Sequence, residues 1–318
     1  MTPDPARRRS VLRVLVAAVV AGGMAGIYPR RAHADTWAEQ IKALEKACGG
    51  RLGVYAINTA SQKSIAWRAD ERFGMCSTFK LLLVAAVLRE ADAGRLSLAT
   101  VLPYTKADMV SYAPITAQHL AEGGMSVLAL AEAAQTVSDN VAANLLIRHL
   151  GGPATVTALI REMGDKQTRL DRYETKLNLV PAGELRDTTT PFAMASAVAR
   201  IMTATLLSSD ARARLRTWMI ATETGKHRLR AGLPKDWIAG DKTGTASADA
   251  MPNKHNDVAV IWPSNRAPVV VAAYLDASGH FQDTRPEDDE VLANVGRIIA
   301  RWMGPTAVER GTKGSQTS

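Results

Sequence analysis

The chain has 318 residues, 39 Lys and Arg against 31 Asp and Glu, and two cysteines. Residues 1–34 hold six of those basic residues and one of the acidic ones, so the rest carries 33 against 30, a net +3. What remains has no Lys/Arg stripe interleaved with aromatics, which argues against a nucleic-acid partner. No period of 20 to 50 residues recurs, which excludes a solenoid, and neither Cys-x-x-Cys nor His-x-x-x-His occurs, which argues against a zinc site.

Arg7-Arg8-Arg9, an apolar run from Val14 to Ile27 and Ala32-His33-Ala34 form a charged segment, a short apolar segment and a small-residue cleavage site. This reads as an export signal, residues 1–34, cut after Ala34. The paired arginines before Ser10-Val11-Leu12 fit a twin-arginine signal, which exports folded protein. The run is short for a bilayer span, which needs about 20 apolar residues. A periplasmic protein with no stable membrane association is expected.

Asp35–Cys48 reads as an amphipathic helix with Trp37, Ile41, Leu44 and Ala47 at helical spacing, stopped by Gly49-Gly50. Residues 51–59 and 64–68 read as a hairpin. Residues 80–88 are apolar on nearly all sides and suit a buried helix. The middle of the chain is mostly helical, with periodic segments at 126–137 and 141–150. A further helix starts at Thr190-Pro191, with Thr as cap and Pro at the first helical position. Between Gly164 and Thr189 lies a long polar stretch, and a loop of that length in a compact domain is usually functional or disordered. Residues 237–245, 257–262 and 268–275 read as strands, 291–303 as a closing helix and 311–318 as a disordered tail. The fold class is therefore α+β: an antiparallel sheet from both chain ends, flanked by helices, with a helical domain inserted. The expected division is 35–75 with 226–310 as the α/β domain and 76–225 as an all-helical domain, with the active site between them.

Three short motifs carry chemistry. In Ser77-Thr78-Phe79-Lys80 the serine and lysine stand at i and i+3, on one helix face. The amine then lies beside a hydroxyl that needs a neighbouring base to become a nucleophile. Alone, Ser-x-x-Lys is expected by chance about once in a chain of this length. Ser138-Asp139-Asn140 lies between two helical segments, where Asp139 also suits a helix cap. Lys242-Thr243-Gly244 lies on a late strand, where glycine permits close approach of a ligand to the backbone.

Together and in this order, the motifs resemble those of the penicillin-recognising serine enzymes over roughly Ala43 to Met303. The polar stretch resembles the Ω-loop (168–187) of class A β-lactamases, with Glu174-Thr175-Lys176-Leu177-Asn178 matching Glu-x-x-Leu-Asn. The resemblance implies hydrolysis of penicillins and cephalosporins through a Ser77 acyl-enzyme, deacylated by a water that Glu174 activates and Asn178 helps hold. Lys80 or Glu174 would take the Ser77 proton. The backbone N–H groups of Ser77 and Thr245 would form the oxyanion hole, and Ser138 would pass a proton to the leaving nitrogen. Lys242, Thr243, Gly244, Thr245 and Arg228 are implied at the substrate carboxylate, Asn140 at the acylamide side chain and Tyr112 at the cleft mouth. Arg172 and Asp187 match the ion pair closing the loop's neck. The partners implied are β-lactams and a water, with a monomer as the family default and neither cofactor nor metal.

Two departures stand out. Some carbapenem-hydrolysing relatives pair the cysteine before the nucleophile with another two residues after Lys-Thr-Gly; here those positions hold Cys76 and Ala246, so two free thiols are expected. The stretch 245–255 is longer than the family pattern. A penicillin-binding transpeptidase shares the motifs but lacks the water-positioning loop. A β-lactam receptor needs a retained transmembrane helix. A serine esterase would show Gly-x-Ser-x-Gly.

Overall fold

The computed structural model describes residues 30–249 and 251–304. Most of the expected signal and the whole of the expected tail lie outside them. Eight helices are present among the described residues: α1 (Arg30–Cys48), α2 (Phe79–Asp92), α3 (Val127–Thr136), α4 (Asn140–His149), α5 (Pro153–Glu162), α6 (Pro191–Thr203), α7 (Ser209–Ala221) and α8 (Pro286–Met303). Five strands, β1 (Arg51–Asn58), β2 (Ser64–Trp67), β3 (Ile238–Ala248), β4 (Met251–Trp262) and β5 (Val269–Asp276), form one antiparallel sheet in the order β2-β1-β5-β4-β3. Strands from the two chain ends meet where Tyr55 pairs with Ala272.

The sheet is buried on both faces, and period-two alternation sorts its side chains. Along β5, Val269, Val271, Ala273 and Leu275 pack with Ile41 of α1 and Leu292 and Ile299 of α8. Val270, Ala272 and Tyr274 face the other way, into a core shared with α2, α3, α4 and α6. Helix α2 lies at the centre of that core. Residues 81–87 are fully enclosed, which is why the segment is apolar all round.

Four α-helix starts among the described residues carry side-chain caps, and two of these, Asp139 and Thr190, were read from the sequence. Ser126, Asp139 and Thr190 accept from the backbone N–H groups of Ala129, Ala142 and Ala193. The region 76–225 is not purely helical, however. Residues 101–103 pair with 124–126, and residues 188–189 pair with 73–74. These ribbons are two or three residues long, too short for alternation to reveal them.

The stretch after Lys-Thr-Gly is not a loop. Strands β3 and β4 continue past the motif, pairing Thr245 with His255, Ala246 with Lys254 and Ala248 with Met251, with an irregularity between Ala246 and Ala248. The segment is therefore part of a hairpin. No helix among the described residues is long and apolar enough to cross a membrane.

Candidate active site

The cleft opens between the edge strand β3, the turn before α2, the α3–α4 junction and the 168–187 loop. It has a volume of about 680 Å³ and is lined by Ser77, Tyr112, Ser138, Asn140, Asn178, Arg228, Thr243 and Thr245 among others. The i, i+3 spacing brings Lys80 over Ser77, although Ser77 lies in the 3-10 turn Cys76–Thr78 and only Lys80 in α2: Nζ lies 3.0 Å from Ser77 Oγ. The lysine is fully buried and also donates to Ser138 O (2.8 Å) and Asn140 Oδ1 (2.5 Å). Burial pulls its amine below the usual lysine range, and the nearby Glu174 charge opposes that.

Glu174 Oε1 lies 3.2 Å from Ser77 Oγ and 3.0 Å from Lys80 Nζ, so the carboxylate reaches both without an intermediary. Its other oxygen accepts from Asn178 Nδ2 at 2.7 Å. That bond fixes the amide's orientation and leaves Asn178 Oδ1 as a buried acceptor with no partner among the described residues.

Ser138 is the meeting point of the two motif lysines. Lys80 Nζ lies 3.3 Å from its Oγ, and Lys242 Nζ donates to the same atom at 3.0 Å. Burial, and then the neighbouring Lys80, push the Lys242 amine well below the usual range. Ser138 adopts φ +64°, as do Cys76 (+46°), Tyr112 (+62°) and Asp187 (+57°) in the same left-handed region. Side chains rarely adopt this conformation, and such residues gather at functional sites. Asp139 holds the junction together by accepting from Ile115 N, Thr116 N and Oγ1, and Ala142 N.

Gly244 needs a different reading from the one its strand position suggested. A Cβ there would lie 2.6 Å from Met75 O and 3.1 Å from Ser77 N. The chain that approaches Gly244 is therefore the protein's own nucleophile turn. Asn256 pins this turn from behind, donating to Gly74 O (2.9 Å) and Met75 O (3.1 Å). Arg228 is buried against the strand and donates to Gly244 O (3.1 Å), Asn256 O (2.8 Å) and Thr245 Oγ1 (2.8 Å). Tyr112 is exposed at the mouth, and its carbonyl accepts from Asn140 N at 3.0 Å. At the neck of the loop, buried Asp187 takes the guanidinium of Arg172 and the backbone N–H groups of Asp171 and Arg172.

The model of the β-lactamase enzyme family matches residues 36–303. The chain is 42% identical over 292 residues to β-lactamase Toho-1 of Escherichia coli, covering 92% of this chain and 97% of that protein. It is 45% identical over 262 residues to β-lactamase AST-1 of Nocardia asteroides, covering 82% of each. A solved ancestral class A β-lactamase superposes with a TM-score of 0.79 at 49% identity, covering 84% of this chain and 99% of that one. This chain belongs to the class A serine β-lactamases.

Two contributors to the β-lactamase cleft escaped the sequence reading. Asn144 exchanges hydrogen bonds of 2.9 Å each way with the backbone of Glu174. It stands four residues after Asn140, on the same face of α4, which was the available signal. Thr224 pairs with Thr243 through their hydroxyls at 2.6 Å, and only the tertiary fold brings them together. Cys48 and Cys76 are both free. Cys76 packs against Ala246 and Met251.

Proposed function

We propose that this β-lactamase opens the β-lactam amide of penicillins and cephalosporins through an ester on Ser77, freed by a water that Glu174 activates. The observation that carries the reading is the placement of Ser77 Oγ within hydrogen-bond reach of both Lys80 Nζ and Glu174 Oε1. The ion pair between these two groups spans 3.0 Å, so they face the serine together as one basic unit. Ser77 Oγ attacks the lactam carbonyl, its proton passes to that unit, and the C–N bond breaks as Ser138 protonates the departing nitrogen. Lys242 is placed to resupply Ser138.

The backbone N–H groups of Ser77 and Thr245 are assigned to the developing oxyanion. Lys242, Thr243, Thr245 and Arg228 receive the substrate carboxylate, Gly244 lets the strand pass the nucleophile, and Asn140 meets the acylamide group. Deacylation needs a water held against the ester carbonyl. Glu174 and the free Asn178 Oδ1 offer it an acceptor each. Arg172 and Asp187 hold the loop that presents them. The leader assigns the enzyme to the periplasm, where it confers β-lactam resistance as a monomer.

Intact-protein mass spectrometry beside nitrocefin turnover, for the parent and Glu174→Ala, tests this. Rapid turnover by the parent with a persistent Ser77 adduct in the variant is the expected result, with turnover reduced roughly 10²- to 10⁴-fold. A persistent adduct on the parent itself, with negligible turnover, would replace the hydrolase reading with that of a penicillin-capturing protein.

A further inference from the structure

His255 is fully buried on β4, directly across the ladder from Thr245. Its Nδ1 lies 3.1 Å from Asp289 Oδ1. The same oxygen accepts from Arg228 Nε at 2.8 Å. Asp289 therefore joins a buried imidazole to the guanidinium that reaches Thr245 Oγ1 in the cleft. The Asp289 carboxyl sits below the usual carboxylate range: burial opposes this, but the His255 hydrogen bond and the Arg228 charge outweigh it. The carboxylate is ionised and can only accept, so Nδ1 carries the proton.

On the far side, His255 Nε2 lies 3.5 Å from Asp288 Oδ2 and makes no hydrogen bond among the described residues. Asp288 is held in turn by Arg285, at 2.9 Å from Nε and 2.7 Å from Nη2. Arg285 itself lies over the Phe281 ring, 3.6 Å from its centroid. The imidazole is thus wedged between two anchored carboxylates, one of which orients the cleft arginine.

We propose that His255 is a positioning residue that sets the Asp289 carboxylate, and through it the Arg228 guanidinium, so that the substrate carboxylate meets a pre-aimed cation. This rests on the assignment of Arg228 to the substrate carboxylate above. A plain packing role would make His255 matter for stability only. A positioning role makes it matter for one part of the substrate.

The test uses the full-length mature enzyme with benzylpenicillin and its methyl ester, whose carboxylate is blocked. In His255→Leu, the KM for the free acid is expected to rise about fivefold or more while kcat stays within about twofold. The ester's KM is expected to stay nearly constant. His255→Asn, whose amide N–H can still reach Asp289, is expected to recover much of the loss. In an Arg228→Ala background, His255→Leu should add nothing further, because the two residues act through one contact. Equal KM shifts for acid and ester, additivity with Arg228→Ala, or an unchanged KM for the acid would each overturn the proposal. Should His255→Leu fail to fold, Asn against parent carries the comparison, with a small acid-selective KM shift expected and none overturning it. A parent that hydrolyses neither compound would overturn the reading of the site itself, and the inference with it.

Discussion

Lys80 and Lys242 are both fully enclosed, and burial pulls both amines below their ordinary range, Lys242 the further because Lys80 stands beside it. A buried amine with a depressed proton affinity exchanges its proton more readily than a solvated one, which suits the transfers assigned to Ser77 and Ser138. Lys80→Ala is expected to slow Ser77 acylation by roughly 10²- to 10⁴-fold, read from the rate at which the penicillin adduct appears by mass spectrometry. Gly244→Ala puts a methyl against Met75 O, so acylation should fall even though no reacting group is removed. Cys76, beside the nucleophile, is driven up to about 12 by complete burial and stays a thiol at neutral pH. A thiol reagent should leave Cys76 unmodified in the native enzyme and label it in denaturant. Native labelling mapped to Cys76 would contradict its enclosure.

The 168–187 loop works as one element because its neck is closed inside the protein. Asp187 is fully buried, and burial raises its carboxyl above the usual range despite its partners. Arg172→Ala removes the cation while leaving the acid enclosed, which should destabilise the enzyme by about 3 kcal/mol. Since Glu174 and Asn178 ride on this loop while Ser77 does not, deacylation should suffer more than acylation. A longer-lived penicillin adduct in the variant would register that. Equal slowing of both steps would mean that the neck serves stability alone. The long β3–β4 hairpin is a second element at the cleft. Ser247 Oγ and Asn253 Nδ2 donate to Phe281 O at 3.0 Å and 2.9 Å, so its far end is tied to the segment before α8.

Across the whole molecule, two cores meet at one sheet, and β3 and β4 carry buried acids beneath the active-site strand. Burial pushes Asp241 up to about 6, and burial with the Asp241 charge lifts Asp257 well above the carboxylate range. Both hold protons more tightly in the folded chain than in the unfolded one. Their stabilising contribution is therefore fully present below about pH 3.8 and declines as pH rises through about 6, Asp257 extending the decline upward. Asn at position 241 mimics the protonated acid. The thermal midpoint of Asp241→Asn should fall less than the parent's between about pH 4 and about pH 7. Parallel midpoint curves would exclude Asp241 as a source of the pH dependence.

Local chemistry along the chain determined the identity and order of Ser77, Lys80, Ser138, Glu174 and Lys242, the i, i+3 approach of Lys80 to Ser77 across the 3-10 turn that leads into α2, and the caps Asp139 and Thr190. Caps and i, i+3 spacing are short-range geometry, so they are written in adjacent residues. Helices α5 and α7 were less legible. Helix α5 follows Gly151-Gly152, a pair that ends the helix before it as much as it starts the next, and α7 buries only Ala211, Leu215, Trp218 and Met219 among arginines. What no local pattern contains is the convergence itself. Ser138 and Lys242 are 104 residues apart, yet 3.0 Å apart in space. The coupling of His255 to Arg228 through Asp289 likewise exists only once α8 closes over the sheet. Such contacts depend on which strand lies beside which, and packing of the whole core, not the residues at the site, sets that order.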